Sequence, residues 1–192
     1  MILASNSKRR QEILKDMGFN FKVITADIEE VSDKKDISER ILDIAEKKLD
    51  KIAKDNINNF VLAADTVVAL DGEVFGKPKD REEAEKFLKL LSGKTHKVIT
   101  AYVFKNISKN IVIKDVVISK VKFYDLDDET IKWYLDTSEP FDKAGAYGIQ
   151  GQGRVLVEKI EGDYFAIMGF PVSNFLKNLR KIGYKISQID RI

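Results

Sequence analysis

Val61-Leu62-Ala63-Ala64-Asp65-Thr66-Val67-Val68-Ala69-Leu70 is apolar at every position except Asp65 and Thr66. Its length and β-branched content read as a strand buried on both faces, as a sheet covered on two sides requires. A carboxylate in such a strand loses its hydration, at a cost of several kcal/mol unless a cation or hydrogen-bond donors replace the water. Chains keep such a group mainly where it performs chemistry. The competing reading ends the strand near Ala64 and leaves Asp65 and Thr66 to open a turn; the valines that follow weigh against it.

Outward from this strand, helical and extended patterns alternate along the whole chain. Upstream, Ile2 to Ala4 reads as a short strand, Ser5 to Lys8 as a polar loop, and Arg9 to Met17 as a helix with Ile13, Leu14 and Met17 on one side and Gly18 as its stop. Phe21 to Ala26 reads as a second strand. A long helix follows, with Asp36 and Glu39 as a capping box and Ile37, Ile41, Ile44, Ala45, Leu49 and Ile52 at helical spacing. Downstream, Asp71-Gly72 marks a hairpin turn into Val74-Phe75 and then Gly76-Lys77-Pro78. Asp80 and Glu83 open another helix, carrying Ala84, Phe87, Leu88 and Leu91, that stops at Gly93. Strands are expected over Lys97–Lys105 and Ile111–Tyr124, a helix over Asp127–Leu135, an irregular Gly-rich stretch over Ser138–Gly153, a strand over Arg154–Ile160 and a helix after Pro171. The class is α/β with a mixed sheet, and residues 1–192 are expected to form a single domain.

Composition narrows the chemistry. The 192 residues carry 33 Lys and Arg against 31 Asp and Glu, so global charge argues for neither nucleic acid nor an anionic membrane surface. With no cysteine and one histidine, His96, disulfides, Cys-ligated zinc, thiol chemistry and paired-histidine catalysis are excluded. The apolar start Met1-Ile2-Leu3-Ala4 turns polar at Ser5, too short for a signal peptide, and no apolar run approaches the length of a membrane span. A soluble cytoplasmic protein is expected, working through carboxylates, amines, guanidinium groups, hydroxyls and a hard metal ion.

Several clusters fit that chemistry. Ser5-Asn6-Ser7-Lys8-Arg9-Arg10 places two hydroxyls, free helix-start N–H groups and three cations at a spot that favours anions. Any one of these residues reads more simply as a cap or a solvated charge; the whole cluster reads as a phosphate site. Lys77 sits on a tight turn, where it holds a phosphate, offsets a carboxylate or simply faces water. Lys48 lies beside the apolar stripe of the long helix, where a snorkelling side chain is the plainer alternative. Glu29 and Glu30 form either a solvated loop or, at a strand end, one side of an oxygen-ligated cation site with Asp65. The glycine-dense Phe141–Gly153 stretch divides evenly between a packing loop and a ligand loop, and Gln150 in it offers both a donor and an acceptor to a base edge.

Taken in order, these segments resemble the Maf family of nucleoside triphosphate pyrophosphatases. Ser5 to Leu14 is similar to its Ser-x-Ser-Pro-Arg-Arg signature, with Lys8 in place of the proline. Further matches are Ile28-Glu29-Glu30, Ala45-x-x-Lys48, Ala64 to Val68, Gly76-Lys77-Pro78, Leu91 to His96 with Thr100-Ala101, Glu139 to Gly145, and Gly169-Phe170-Pro171. The resemblance implies an α/β/α fold related to the inosine triphosphate pyrophosphatases, with two lobes around a cleft, usually a homodimer. It implies hydrolysis of a nucleoside triphosphate to the monophosphate and pyrophosphate with Mg2+ or Mn2+. Asp65 matches the proton acceptor, and Glu30, Lys48, Lys77 and Arg10 match acidic, cationic and phosphate-contacting positions. By the same resemblance Glu30 and Asp65 neighbour the metal, and Ser5, Ser7 and Arg10 bind substrate. Arg9, Thr66 and Gln150 match the specificity positions of the branch acting on dTTP and UTP; modified pyrimidine nucleotides are further candidate substrates. Two rivals remain: a purine-directed pyrophosphatase of the related fold, and a septum-formation regulator acting through nucleotide or partner binding.

Overall fold

The computed structural model describes residues 1–25 and 27–192. Ala26, at the end of the expected second strand, lies outside them. Among the described residues seven strands pair in one mixed sheet: β1 (Ile2–Leu3), β2 (Lys22–Val23), β3 (Val61–Leu70), β4 (Glu73–Phe75), β5 (Thr95–Asn106), β6 (Ile111–Phe123) and β7 (Val157–Glu161). Their order is β2-β1-β3-β5-β6-β7, with β4 paired to β3. β1 runs parallel to both β2 and β3, whereas β4 on β3 and β7 on β6 are antiparallel. Among the same residues six α-helices accompany them: α1 (Lys8–Asp16), α2 (Ile37–Ala53), α3 (Arg81–Leu91), α4 (Asp128–Leu135), α5 (Tyr164–Met168) and α6 (Val172–Lys181). No helix among the described residues is long and apolar enough to cross a membrane.

The chain forms two compact units. The first comprises Met1–Asp65, Thr100–Val117 and Gly169–Ile192; the second comprises Thr66–Ile99 and Ile118–Met168. In the first, strand alternation assigns the two faces of β5 to different helices. Val103 joins Ile2, Ala4, Val61 and Ala63 under Ala45, Leu49, Ile52 and Ala53 of α2. Tyr102 and Phe104, pointing the other way, meet Phe175 of α6 with ring centroids 5.5 and 5.1 Å away. This unit is therefore a helix–sheet–helix sandwich. Leu49 is wholly buried, and such burial is worth about 1.5–3 kcal/mol. The second unit has its own core, in which Ala84, Leu88 and Leu91 of α3 and Ile131, Tyr134 and Leu135 of α4 pack with Val68, Phe75, Val98, Val121 and Phe123.

Local chemistry starts these helices where the sequence predicts. Asp36, Asp80 and Asp127 each accept the backbone N–H three residues on, from Glu39 at 3.0 Å and from Glu83 and Thr130 at 2.8 Å. Each such cap is worth about 1 kcal/mol. The Glu83 carboxylate reaches back to Lys79 N at 2.7 Å, one residue short of the expected partner Asp80. Two expectations need correction, and one helix carries no sequence expectation. The second strand is only Lys22–Val23, with both residues exposed, so no apolar face extends it. The strand expected from Arg154 begins at Val157, because Gly151–Leu156 coils into a 3-10 turn that opens at Gly151 with φ 64°. The helix Tyr164–Met168 was missed: five residues are too few for periodicity to show, and its start is marked by Asp163, which accepts from Phe165 N and Ala166 N.

His96 lies on β5 with 1% exposure, its Nε2 2.8 Å from the Tyr147 hydroxyl and its ring edge-on to Phe123. Burial pushes its pKa down from 6.5 to about 4. The folded chain thus refuses a proton that the unfolded chain accepts, so stability from neutral His96 is complete above pH 6.5 and drains away as pH falls towards 4. Urea unfolding of the wild-type chain and of His96→Leu should show the wild-type advantage shrinking by about 2–3 kcal/mol between pH 7 and pH 4.5. An advantage independent of pH would show that His96 is not held neutral.

Candidate active site

Asp65 stands where the first unit ends along β3. The strand is fully buried through Val61–Ala64 and opens partly at Asp65, Thr66 and Val67 before closing again at Val68. The strand continues past Asp65, so the turn alternative is set aside. The missing water is replaced by Lys48. On α2, Ile44, Lys48 and Ile52 follow at intervals of four, so the helix that buries its apolar stripe on the sheet also delivers the ammonium to the strand. Lys48 Nζ donates to Asp65 Oδ1 at 2.9 Å, with the two side chains 13% and 14% exposed. The same nitrogen lies 2.7 Å from Glu30 Oε1, but Glu30 is 58% exposed. Burial decides between the two pairs. The Glu30 contact is screened by water and contributes little, whereas losing Lys48 would strand the Asp65 charge.

The phosphate-loop candidates are built from α1. Ser7 caps the helix by accepting from Arg10 N at 3.4 Å, and Ser5 Oγ accepts from Ser7 N at 3.2 Å and from Arg10 Nη1 at 3.0 Å. Arg10 Nε donates to the Gly169 carbonyl at 2.9 Å. Ser5 and the Gly169 carbonyl therefore hold the guanidinium in place rather than leaving it to swing in solvent. Burial lowers its pKa, which the charge of Asp65 opposes; Arg9 adds to the lowering and Glu30 offsets it. A guanidinium remains protonated throughout. Lys8 is exposed on the first turn, and Arg9 is half-buried beside Arg10.

The first unit thus brings together Ser5, Arg10, Glu30, Lys48 and Asp65. Thr66, Lys77 and Gln150 belong to the second unit. Lys77 is exposed just after β4, on a turn fastened by the Gly145 N–H donating to the Gly76 carbonyl at 3.0 Å. Gly145 has φ 68°, and a Cβ there would stand 2.9 Å from Val68 Cγ2, so only glycine allows this approach. Gln150 is half-buried at the start of the 3-10 turn Gly151–Leu156. Thr66 is half-exposed next to Asp65. Two groups carry no role in the sequence reading: the Gly169 carbonyl, which accepts from Arg10 Nε, and the Glu139 carboxylate, which accepts from Gln152 N and Gly153 N beside Gln150. Both lie in motifs whose composition was visible, but neither a backbone oxygen nor a lone acid signals its partner.

Among the described residues no group of three His, Cys, Asp or Glu is placed to hold a metal ion. Two carboxylates nonetheless converge on one cation, since Glu30 and Asp65 both contact Lys48 Nζ. Hard oxygen donors of that number suit an ion that takes its remaining ligands from water and substrate phosphates, as Mg2+ does.

The chain matches the Maf-like protein family over residues 1–182. It is 80% identical over 192 residues to a dTTP/UTP pyrophosphatase of Fusobacterium nucleatum, covering 100% of both chains. Proteins of the same description from Pyrococcus furiosus and Dictyoglomus thermophilum are 46% and 44% identical, with 98% and 97% of each chain covered. The solved Staphylococcus aureus Ham1 protein aligns over 65% of this chain and 71% of that one, at 19% identity and a TM-score of 0.44.

Because Lys48 and Asp65 share one largely buried ion pair, their substitutions should not add. A double-mutant cycle of Lys48→Met and Asp65→Asn, read by chemical denaturation, should give a coupling of about 1–3 kcal/mol, with the double variant more stable than Lys48→Met alone. Additive losses would mean that the pair contributes no more than a surface contact.

Proposed function

The chain belongs to the Maf family, and we propose that it hydrolyses nucleoside triphosphates, dTTP and UTP ahead of others, to the monophosphate and pyrophosphate. Its service is the removal of excess or non-canonical pyrimidine nucleotides. The observation that carries this reading is Asp65, a carboxylate set into a buried strand and held by Lys48 beside Glu30 and Arg10. A binding module has no need of that costly arrangement; a hydrolase does.

In the proposed mechanism, Asp65 takes the proton of a water attacking the α-phosphorus in line, and pyrophosphate departs. Lys48, Arg10 and Lys77 supply positive charge where negative charge develops on the phosphate oxygens, the principal source of catalysis in phosphoryl transfer. Ser5 and Ser7 line the anion loop at the start of α1 and orient the phosphate chain with Arg10. Glu30 and Asp65 would hold Mg2+ or Mn2+, which when bound supplies neutralisation of phosphate charge. With no cysteine and with its single histidine buried, the chain favours such oxygen-ligated ions over zinc. Arg9, Thr66 and Gln150 read the base. Gln150 pairs through donor and acceptor with the O4/N3 edge common to uracil and thymine; cytosine presents an amino donor there, and a mismatch leaves polar groups unpaired. We further propose that residues 1–192 act as one domain, in the cytoplasm, as a homodimer, and without nucleic acid or membrane partners.

Asp65→Asn keeps the side-chain shape but removes basicity, so turnover should fall by about 10²–10⁴-fold with the far-UV circular dichroism unchanged. Near-normal turnover would reassign Asp65 to structure. Pyrophosphate release across UTP, dTTP, CTP, ATP and GTP with Mg2+ should be fastest on UTP and dTTP, and should stop in EDTA. Gln150→Ala should flatten the ranking more than it slows the best substrate. Equal rates on GTP and UTP in the unaltered protein would sink the base assignment, and full activity in EDTA would sink the metal.

A further inference from the structure

Gln150 lies between two fixed points of the glycine-rich loop, and both lead to Glu139. On one side, the Gly148 N–H donates to the Tyr134 hydroxyl at 3.1 Å, and that hydroxyl lies 3.5 Å from Glu139 Oε2. On the other, Glu139 Oε1 accepts from Gln152 N at 2.8 Å and Oε2 accepts from Gly153 N at 3.1 Å. The main chain of Glu139 is itself held, its carbonyl accepting from Lys143 Nζ at 2.7 Å and its N–H donating to Thr137 Oγ1 at 3.2 Å. The loop is fitted closely around it. Gly151 has φ 64°, and a Cβ there would collide with the Glu139 carboxylate; a Cβ at Gly153 would collide with the Gly148 carbonyl and stand 2.8 Å from the Tyr134 hydroxyl. Tyr134 is fully buried in the core of its unit, so the anchor is tied to packed structure.

A single acid accepting two adjacent N–H groups, while a hydroxyl relays it to a third, leaves the three residues between the anchors, Ile149, Gln150 and Gly151, little conformational freedom. We propose that Glu139, with Tyr134 as relay, is a positioning residue that fixes the presentation of Gln150 and thereby the base selectivity of the enzyme. This rests on the reading of Gln150 as the residue that meets the base. A purely structural role for Glu139 would lower stability and leave selectivity where it was.

The two roles separate in kinetics. Glu139→Gln keeps the shape but presents one oxygen and one amino group to two N–H donors, so one of them loses its acceptor. The measurement is kcat and KM on UTP and CTP for Glu139→Gln, Tyr134→Phe, Gln150→Ala and the pair Glu139→Gln with Gln150→Ala. The expected result is a fall of about tenfold or more in the UTP-over-CTP ratio of kcat/KM for Glu139→Gln, expressed mainly in the KM for UTP. Tyr134→Phe should move the ratio the same way by less, and Glu139→Gln should add no further loss of selectivity once Gln150 is alanine. If Gln150→Ala collapses the ratio while Glu139→Gln and Tyr134→Phe leave it unchanged, the positioning role is overturned and the reading of Gln150 stands. If Gln150→Ala itself leaves the ratio intact, that reading falls and the proposal falls with it. Should Glu139→Gln fail to fold, Tyr134→Phe decides alone, and an unchanged ratio overturns the proposal.

Discussion

One ammonium group, that of Lys48, makes the rest of the first unit's chemistry tenable. Asp65 interrupts an apolar strand, and a carboxylate there without a partner would oppose folding. Its partner is delivered by packing. Ala45 and Leu49 flank Lys48 in the sequence of α2 and are completely buried against the sheet, so the helix cannot rotate to carry the lysine elsewhere without opening the core. The hydrophobic seam that stabilises the unit is thus the device that sets a charge within 2.9 Å of the proposed base. Glu30, more exposed, completes the polar end of the same contact and contributes more to charge balance than to stability.

The second unit solves a different problem, that of holding a glycine-rich loop without a regular element through most of it. Three short 3-10 turns occupy Pro140–Leu156, and their order comes from buried polar groups rather than from repeating backbone bonds. Tyr134 and Tyr147, whose hydroxyls burial keeps firmly protonated, bond to a backbone amide and to His96, while Glu139 gathers the N–H groups that the turn leaves over. Glycine allows the chain to come close enough for those bonds to form, and the bonds offset the conformational freedom that glycine loses.

Much of this was legible along the chain because its causes are local. β3 runs from Val61 to Leu70 as the apolar run predicts, and α2, α3 and α4 start after the aspartates that cap them. The places where the reading slipped share a cause too. β2 is two exposed residues, and its pairing to β1 is a fact about its neighbour rather than about its own sequence. The last part of the Gly151–Leu156 turn, from Arg154, reads as extended because Val155 and Val157 favour strands, a weak local preference that the loop's anchoring overrides.

By itself the sequence determined the class of fold, the caps and stops of its main helices, the family resemblance, and the chemical inventory of oxygens, amines and guanidinium groups with no thiol and one imidazole. Hydrophobic period, capping and composition are properties of neighbouring residues and can be read in order. Only the tertiary structure decided which groups act on one another. It pairs Lys48 with Asp65 across 17 positions and Arg10 with the Gly169 carbonyl across 159, and it turns His96 into a neutral core residue. It also makes Glu139 the holder of a loop that begins nine residues further on. Such contacts depend on distance and burial in three dimensions, where the loss of water decides how strongly a charge must be answered, and neither quantity is written in the order of the residues.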